Sequence, residues 1–349
     1  MARRDIPPPP ELPNFTVESE PEARPAPEER HTGTGLMRHG VALDDAKVDQ
    51  DAAKVVRRLE RAGHEAYLVG GCVRDLLLGG TPKDFDIATS ARPDDVKALF
   101  RNCRVIGRRF RLAHVLFGGG KVIEVATFRK NPTNDTPEID IDAADDLLIR
   151  SDNVFGEAHE DALRRDFTIN ALFYDLDRRQ VLDWCGGMEH LQSRTIQTIG
   201  EPGVRFREDP VRILRAIKFA ARADLGIAPD VYDAIVMNRY ELSRAARPRI
   251  FEEIARLGRG GALHRSMWLL WEVGAMAILL PELSSYLDDD EATEGELFFR
   301  RLDAIDRLTK AEGALDDLVL WASILFEPLA EAVTGARDVV GAAHDFLEP

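Results

Sequence analysis

The sequence predicts an α+β protein, with a small mixed sheet and its helices placed before an all-helical remainder. Three observations predict it. A strand, a glycine turn, a helix and a second strand crowd into residues 66–88. Two apolar runs at 110–117 and 121–128 flank Gly118-Gly-Gly120, a hairpin signal. Beyond about residue 158 the apolar spacing becomes helical to the end, interrupted by one short strand pair near 172–184.

Taken in order, residues 1–45 are rich in Pro, Glu and Arg, include Pro7-Pro-Pro-Pro10, and show no apolar periodicity, so they are expected to be disordered. Residues 50–63 form an amphipathic helix by the spacing of Ala53, Val56, Leu59 and Ala62, with Gly63 at its end. A strand is expected at 66–69, a helix at 73–78 stopped by Gly79-Gly80, and a strand at 85–88. Residues 93–100 form a helix with Asp94 and Asp95 in its first turn, where the helix dipole favours acids. Residues 131–157 are acidic and aperiodic and suit a long loop. The expected organisation is a disordered segment (1–45), an α/β domain (46–190) and two helical domains (191–260 and 261–349).

Composition excludes several classes. The chain of 349 residues is long enough for two or three domains. No apolar run reaches the ~18 residues of a membrane span, and no apolar segment follows Arg3-Arg4 as a secretory signal requires. Cys72, Cys103 and Cys185 match no zinc spacing, and a cytoplasmic protein with reduced thiols is the reading. A net charge of −15 argues against broad, non-specific nucleic-acid binding. Basic residues nonetheless cluster. Residues 101–130 carry eight Lys and Arg against Glu124 alone, and 205–222 carry six against Glu208 and Asp209.

The chemistry concentrates in Leu68-Val-Gly-Gly-Cys-Val-Arg-Asp75 and Lys83-Asp84-Phe85-Asp86. A glycine turn such as Gly70-Gly71 lets backbone approach a phosphate closely. Carboxylates two apart on a strand share a face, so Asp84 and Asp86 can share magnesium ions if Phe85 points inward. Two-metal phosphoryl chemistry needs that arrangement. A third carboxylate commonly completes the cage, and two candidates stand open. Glu124 is a lone acid in the apolar run Val122-Ile-Glu-Val-Ala126, where burial without a partner is costly. Asp166 lies in Arg164-Arg-Asp-Phe-Thr-Ile-Asn170 at the start of an expected helix, with Arg165 beside it to bind a triphosphate. Further on, Asp209 precedes Pro210, a favoured first helical residue. Arg212 and Arg215 share one face of the helix that follows, with Lys218 on its margin.

Gly-Gly-x-Val-Arg-Asp at 70–75, Asp84-Phe-Asp86, Arg164-Arg-Asp-Phe-Thr-Ile-Asn170 and Glu208-Asp-Pro-Val-Arg212 together resemble one family, in its order. It is the class II tRNA nucleotidyltransferase and bacterial poly(A) polymerase family of the DNA polymerase β superfamily. The resemblance covers roughly residues 50–260. It implies a polymerase-β-like nucleotidyltransferase head and helical neck and body domains. It also implies two Mg2+ ions, a nucleoside triphosphate and RNA 3′ ends as acceptor. By resemblance Asp84 and Asp86 are the metal ligands, and Asp166 is counted with them. Gly70, Gly71, Arg74, Arg165 and Asn170 belong to the triphosphate and ribose site. Asp209 and Arg212 read the base edge without a template, with Arg215 and Lys218 continuing toward the phosphates. Lys218 departs from the arginine usual in tRNA nucleotidyltransferases.

Val105-Ile-Gly-Arg-Arg-Phe-Arg-Leu-Ala-His-Val115 and Arg247-Pro-Arg-Ile-Phe-Glu-Glu253 resemble the polymerase branch, so ATP is the expected substrate and AMP addition to RNA 3′ ends the expected reaction. CCA addition to tRNA is the alternative, and a non-catalytic RNA-binding relative a third. His114 is expected to be structural. The branch usually continues to a strongly basic tail, which this chain, ending Phe346-Leu-Glu-Pro349, lacks. Either the sequence is a piece of a longer protein with an incomplete body domain, or this member grips RNA less tightly, in which case weak, salt-sensitive, distributive tailing is the expectation.

Overall fold

The structure, a computed structural model, describes residues 35–107, 111–130, 154–288 and 294–334, with 338 and 341. These divide after Ser193 into two compact units.

The first unit is built on an eight-stranded sheet. Its elements are β1 (Met37–Gly40), α1 (Gln50–Arg61), β2 (Ala66–Val69), α2 (Gly71–Leu77), β3 (Asp86–Thr89), α3 (Pro93–Leu99), β4 (Cys103–Ile106), β5 (Leu112–Leu116), β6 (Val122–Thr127), β7 (Arg129–Lys130), β8 (Val154–Phe155), α4 (Ala158–Leu163), β9 (Phe173–Asp175), β10 (Gln180–Asp183) and α5 (Gly187–Gln192). The strand order is β1-β10-β9-β2-β3-β6-β5-β4. Only β3 and β6 run parallel; the other neighbours are antiparallel. β7 and β8 form a separate antiparallel pair.

Local sequence explains the helices that cover this sheet. Asp49 caps α1 by accepting from the Asp51 and Ala52 amides, and Ala52, Ala53, Val55, Val56 and Leu59 are its buried stripe. α1 and α3 pack on one face of the sheet, against Leu68, Ile87, Ala113, Val115, Ile123 and Val125, all at most 3% exposed. Period-two alternation therefore sends the other residues of β3, β5 and β6 to the opposite, open face. At the β2–β9 end that second face is covered instead, by Tyr67, Phe128 and Phe173 packed ring to ring.

The expected elements from 50 to 128 are present within one or two residues; in this unit the strands not foreseen are β1, β4 and the short β7–β8 pair, of which Val154–Phe155 falls within the expected loop. β1 corrects the expectation of disorder up to residue 45. Met-Arg-His-Gly carries no strand pattern, and its backbone pairing to β10 orders it. β4 is a four-residue edge strand, too short for its alternation to stand out. Residues 1–34, 108–110 and 131–153 lie outside the described residues, and with them Arg108, Arg109 and most of the expected loop. Arg111 is described, and pairs with Asp94 at 2.9 Å.

The second unit is helical apart from one short parallel pair, β11 (Thr195–Ile196) and β12 (Gly226–Ile227). Its helices are α6 (Pro202–Glu208), α7 (Val211–Arg222), α8 (Pro229–Asn238), α9 (Arg247–Gly258), α10 (Leu263–Glu272), α11 (Met276–Leu279), α12 (Pro281–Asp288), α13 (Glu294–Glu312) and α14 (Asp317–Val333). α7 is its centre: Ile213, Leu214, Ala216, Ile217 and Ala220 are wholly buried, and α9 and α10 pack upon it. No described helix is long and apolar enough to cross a membrane.

One half-buried acid makes stability pH-dependent. Glu60, in the last turn of α1, has its Oε2 buried without a hydrogen-bond partner. Burial and the nearby Asp177 and Asp175 push its carboxyl up to about 7, against Arg57 and Arg178. The folded value exceeds the ordinary 4.5, so the folded chain keeps a proton that the unfolded chain has released. Stability present below that ordinary value is lost as pH rises through about 7. Glu60→Gln should flatten this decline and raise the thermal midpoint at pH ~8 relative to the parent. Scanning calorimetry between pH ~5 and ~8 checks it; parallel declines in both proteins would refute it.

Candidate active site

Phe85 and Ile87 are 8% and 0% exposed, so Asp84 and Asp86 face the opposite way and are open to solvent. Strand register then extends the row. Asp86 pairs with Glu124 on β6, Glu124 with His114 on β5, and His114 with Arg104 on β4. His114 Nε2 lies 3.4 Å from Glu124 Oε1. The Asp86 carboxyl is reachable by water but set in enough protein to be poorly hydrated. That burial, then Glu124 and Asp84, raise it to about 6, while Arg165 works in the opposite direction. Three acids thus crowd one surface with little compensating charge.

The glycine turn adjoins this row. Gly70 joins β2 to α2 at φ +74°, a conformation that favours glycine, and a Cβ there would stand 3.2 Å from Arg165 Nη1. A Cβ on Gly71 would stand 3.6 Å from Arg74 Nη2. The turn is therefore flanked by two guanidiniums. Arg74, 3% exposed, donates through Nε and Nη2 to Asp75 Oδ1 at 2.9 and 2.6 Å, and through Nη1 to Asn170 Oδ1 at 2.6 Å. Arg165 donates to Asp161 Oδ2 at 3.0 Å and to the Asn170 carbonyl at 3.1 Å, and lies 5.0 Å over the Phe173 ring.

The two candidates for a third carboxylate separate here. Glu124 stands in register beside Asp86. Asp166 is buried, and its Oδ1 accepts from the Phe167 amide at 2.9 Å and from Asn170 Nδ2 at 3.3 Å. It precedes a single 3-10 turn, Thr168–Asn170, where an α-helix was expected. Asp166, Asn170, Arg74 and Asp75 form one hydrogen-bonded chain behind the turn.

In the helical unit, α7 starts at Val211 with Pro210 as its cap, one residue later than expected. Asp209 Oδ1 accepts from the Val211 amide at 3.3 Å, and Oδ2 from Arg249 Nη2 at 2.8 Å. Arg212 is 8% exposed; its Nη1 donates to the Arg205 carbonyl and to Glu208 Oε2, both at 2.9 Å. Arg215 lies over the Phe219 ring. Lys218, mostly shielded from solvent, pairs with the buried Glu253 Oε2 at 2.7 Å, and desolvation lowers its pKa. Arg249 and Glu253 were noted only within the Arg247–Glu253 resemblance; their partners lie about 35–40 residues away, beyond the reach of local pattern.

Comparison with known proteins identifies the family of the chain. A family model described as the Poly A polymerase head domain matches residues 66–197. Another, described as a probable RNA and SrmB-binding site of polymerase A, matches 224–287. Poly(A) polymerase I of Salmonella typhi is 40% identical over 314 residues, covering 89% of this chain and 67% of that protein. The chain belongs to the class II tRNA nucleotidyltransferase and bacterial poly(A) polymerase family.

Within this family, Poly(A) polymerase I of Escherichia coli is 40% identical over 300 residues, 85% of this chain and 64% of that protein. The chain thus spans about two thirds of the length of these relatives. The CCA-adding enzyme of Geobacillus stearothermophilus is 38% identical over 230 residues, 66% of this chain and 54% of that enzyme. The solved structure of Bacillus stearothermophilus CCA-adding enzyme in complex with CTP aligns with a TM-score of 0.61 at 29% identity, covering 86% of this chain and 78% of that one.

The Lys218–Glu253 pair ties α7 to α9, and breaking it leaves a buried ammonium. Glu253→Ala is expected to cost about 3–5 kcal/mol in urea unfolding, and Lys218→Met with Glu253→Met to restore most of it. A cost under ~1 kcal/mol for the single variant would show that Lys218 finds water instead.

Proposed function

We propose that the protein is a template-independent adenylyltransferase that adds AMP from ATP to RNA 3′ ends and releases pyrophosphate. One observation carries the reading: Asp84, Asp86 and Glu124 lie together on the open sheet face, beside a glycine turn flanked by Arg74 and Arg165. Supporting it, the relatives of highest coverage here are named Poly(A) polymerase I. In this reading residues 46–190 are the catalytic head, 191–260 the neck that reads the base, and 261–349 the body.

The donor set fits magnesium. Asp84, Asp86 and Glu124 offer hard carboxylate oxygens, and burial followed by the neighbouring acids raises the Asp86 carboxyl. Among the described residues no three acidic, His or Cys side chains form a ready-made cation cage. Magnesium usually completes its shell with water and substrate phosphates, so a carboxylate pair suffices. When bound, two such ions supply Lewis-acid activation of the hydroxyl and neutralise charge on the leaving group.

The residues divide the remaining work. The RNA 3′ oxygen loses its proton and bonds to the α-phosphorus of ATP as the bond to the β-phosphate bridging oxygen breaks. Gly70 and Gly71 admit the triphosphate against backbone, and Arg74 and Arg165 hold its negative charge. Arg74 arrives pre-set by Asp75 and Asn170, so little side-chain freedom is lost on binding. Asp209 supplies an acceptor and Arg212 donors for the base edge. The Arg212 fork is held on one side by Glu208 and the Arg205 carbonyl.

The second reading, CCA addition to tRNA, draws on the CCA-adding enzymes among the structural neighbours. The protein, magnesium, an unstructured RNA primer or a tRNA lacking its terminal CCA, and labelled ATP or CTP decide between them. Long tails from ATP alone are expected. Ordered C, C, A addition confined to tRNA would replace the first reading with the second. Asp84→Ala and Asp86→Ala should each lower incorporation at least ~100-fold with an unchanged unfolding midpoint. Equal activity in both variants would refute the carboxylate assignment.

A further inference from the structure

At the C-terminal ends of β3 and β6, away from Asp84 and Asp86, the head unit has a second concavity of about 560 Å³. Ser90, Arg92, Thr127, Lys130, Phe155 and His159 contribute to its wall. By the ~3.3 Å rise per residue, Ser90 lies about 13 Å along the chain from Asp86. The proposed reaction uses none of these residues.

The charges of this wall are unevenly engaged. Its acids serve local structure: Glu160 Oε2 accepts from the Glu157 amide at 2.8 Å, and Glu157 Oε2 lies 3.4 Å from His159 Nδ1. Its two permanent cations do not. Neither Arg92 nor Lys130 has a carboxylate partner among the described residues, in a chain with 61 acidic and 46 basic residues. Arg92 instead lies 5.1 Å over the Phe155 ring, which holds a guanidinium at the cleft while leaving its N–H groups for another acceptor. Gly156 fixes the spacing. A Cβ there would come within 2.9 Å of Lys130 Cβ and 2.6 Å of Glu160 Oε2, so β8 can pass this close to β7 only as glycine.

We propose that this cleft binds the sugar-phosphate backbone of the acceptor RNA upstream of its 3′ end, with Arg92 and Lys130 as the phosphate contacts. The chemistry selects phosphate over base. The Phe155 ring that would stack a base is covered by Arg92, and the remaining wall offers two hydroxyls, an imidazole and the Glu157 and Glu160 carboxylates, of which Glu160 is engaged by the Glu157 amide and Glu157 lies beside His159. A phosphodiester strand matches two separated cations, one a planar fork and one a point charge. This proposal rests on RNA being the substrate. It adds a grip on the strand outside the reacting centre, where a net-acidic protein has most need of one.

The test is binding without catalysis. A labelled oligoadenylate with a 3′-deoxy end is titrated with the full chain by fluorescence anisotropy, without ATP, across a salt series. Arg92→Ala with Lys130→Ala is expected to weaken binding about tenfold at ~0.1 M salt. It should also reduce the slope of log affinity against log salt by about 1.4, or ~0.7 per lost phosphate contact. Arg92→Lys with Lys130→Arg should restore the slope, and the unfolding midpoint should not move. Unchanged affinity and slope would overturn the proposal. Unchanged RNA binding with weakened ATP binding would also overturn it, assigning the cleft to a free triphosphate. A parent protein that binds RNA but never extends it refutes the proposed function and leaves this inference standing. One that binds no RNA refutes both.

Discussion

The candidate site depends on the alternation Asp84-Phe85-Asp86-Ile87. Ile87 goes into the layer beneath α1 and α3 and Phe85 before it is buried, which leaves Asp84 and Asp86 exposed. Burying each apolar side chain is worth about 1.5–3 kcal/mol. A slip of one residue would expose both and drive two carboxylates into the core, at several kcal/mol each. Register therefore places the chemistry. The same register brings Glu124 beside Asp86, because β3 and β6 run parallel with those two residues as partners. Burial, and then the nearby Glu124 and Asp84, push the Asp86 carboxyl up to about 6 at a cost in energy. The fold accepts that cost in exchange for a surface where cations and phosphates are welcome.

Arginine placement follows a second rule, seen in each unit by itself: a guanidinium turned away from bulk solvent is fixed by groups behind it. Arg74 is held by Asp75 and Asn170, Arg165 by Asp161 and the Asn170 carbonyl, and Arg212 by Glu208 and a backbone carbonyl. Asn170 links the first two, and Asp166 in turn holds Asn170. This gives Asp166 a structural reason to exist that is separate from metal binding. A carboxylate committed to Asn170 and the Phe167 amide orients the arginines of the turn. Glu124, whose one ion-pair partner among the described residues is a histidine at 3.4 Å, keeps more of its capacity for a ligand.

Much of this was legible in the sequence because it is local. The glycine turn, the alternating carboxylates and α1 with its cap each lie within a dozen residues, and periodicity or turn chemistry finds them. β1 and β4 were not legible, because backbone pairing rather than side-chain pattern makes them strands. The split between Glu124 and Asp166 was equally hidden. One is a question of cross-strand register, the other of a hydrogen bond four residues along a 3-10 turn. Asp209 illustrates the same limit. Its place before Pro210 reads as a cap, but its partner Arg249 arrives from another helix.

That partner bears on how a base is chosen without a template. A carboxylate that must accept from a base edge discriminates only if its orientation is fixed before the base arrives. The Val211 amide holds one oxygen of Asp209 and Arg249 the other, so the group cannot swing between rotamers at no cost. Each carboxylate oxygen still has a second lone pair, and the base edge competes for that rather than for the clamp. Arg212 is treated alike, anchored through Nη1 and buried along its length. Lys218, with its ammonium buried against Glu253, reinforces the arrangement by fixing α9, which carries Arg249, to α7, which carries Arg212. On the proposed reading of Asp209 and Arg212, the rigidity of that helix pair contributes to how sharply one base is preferred over another.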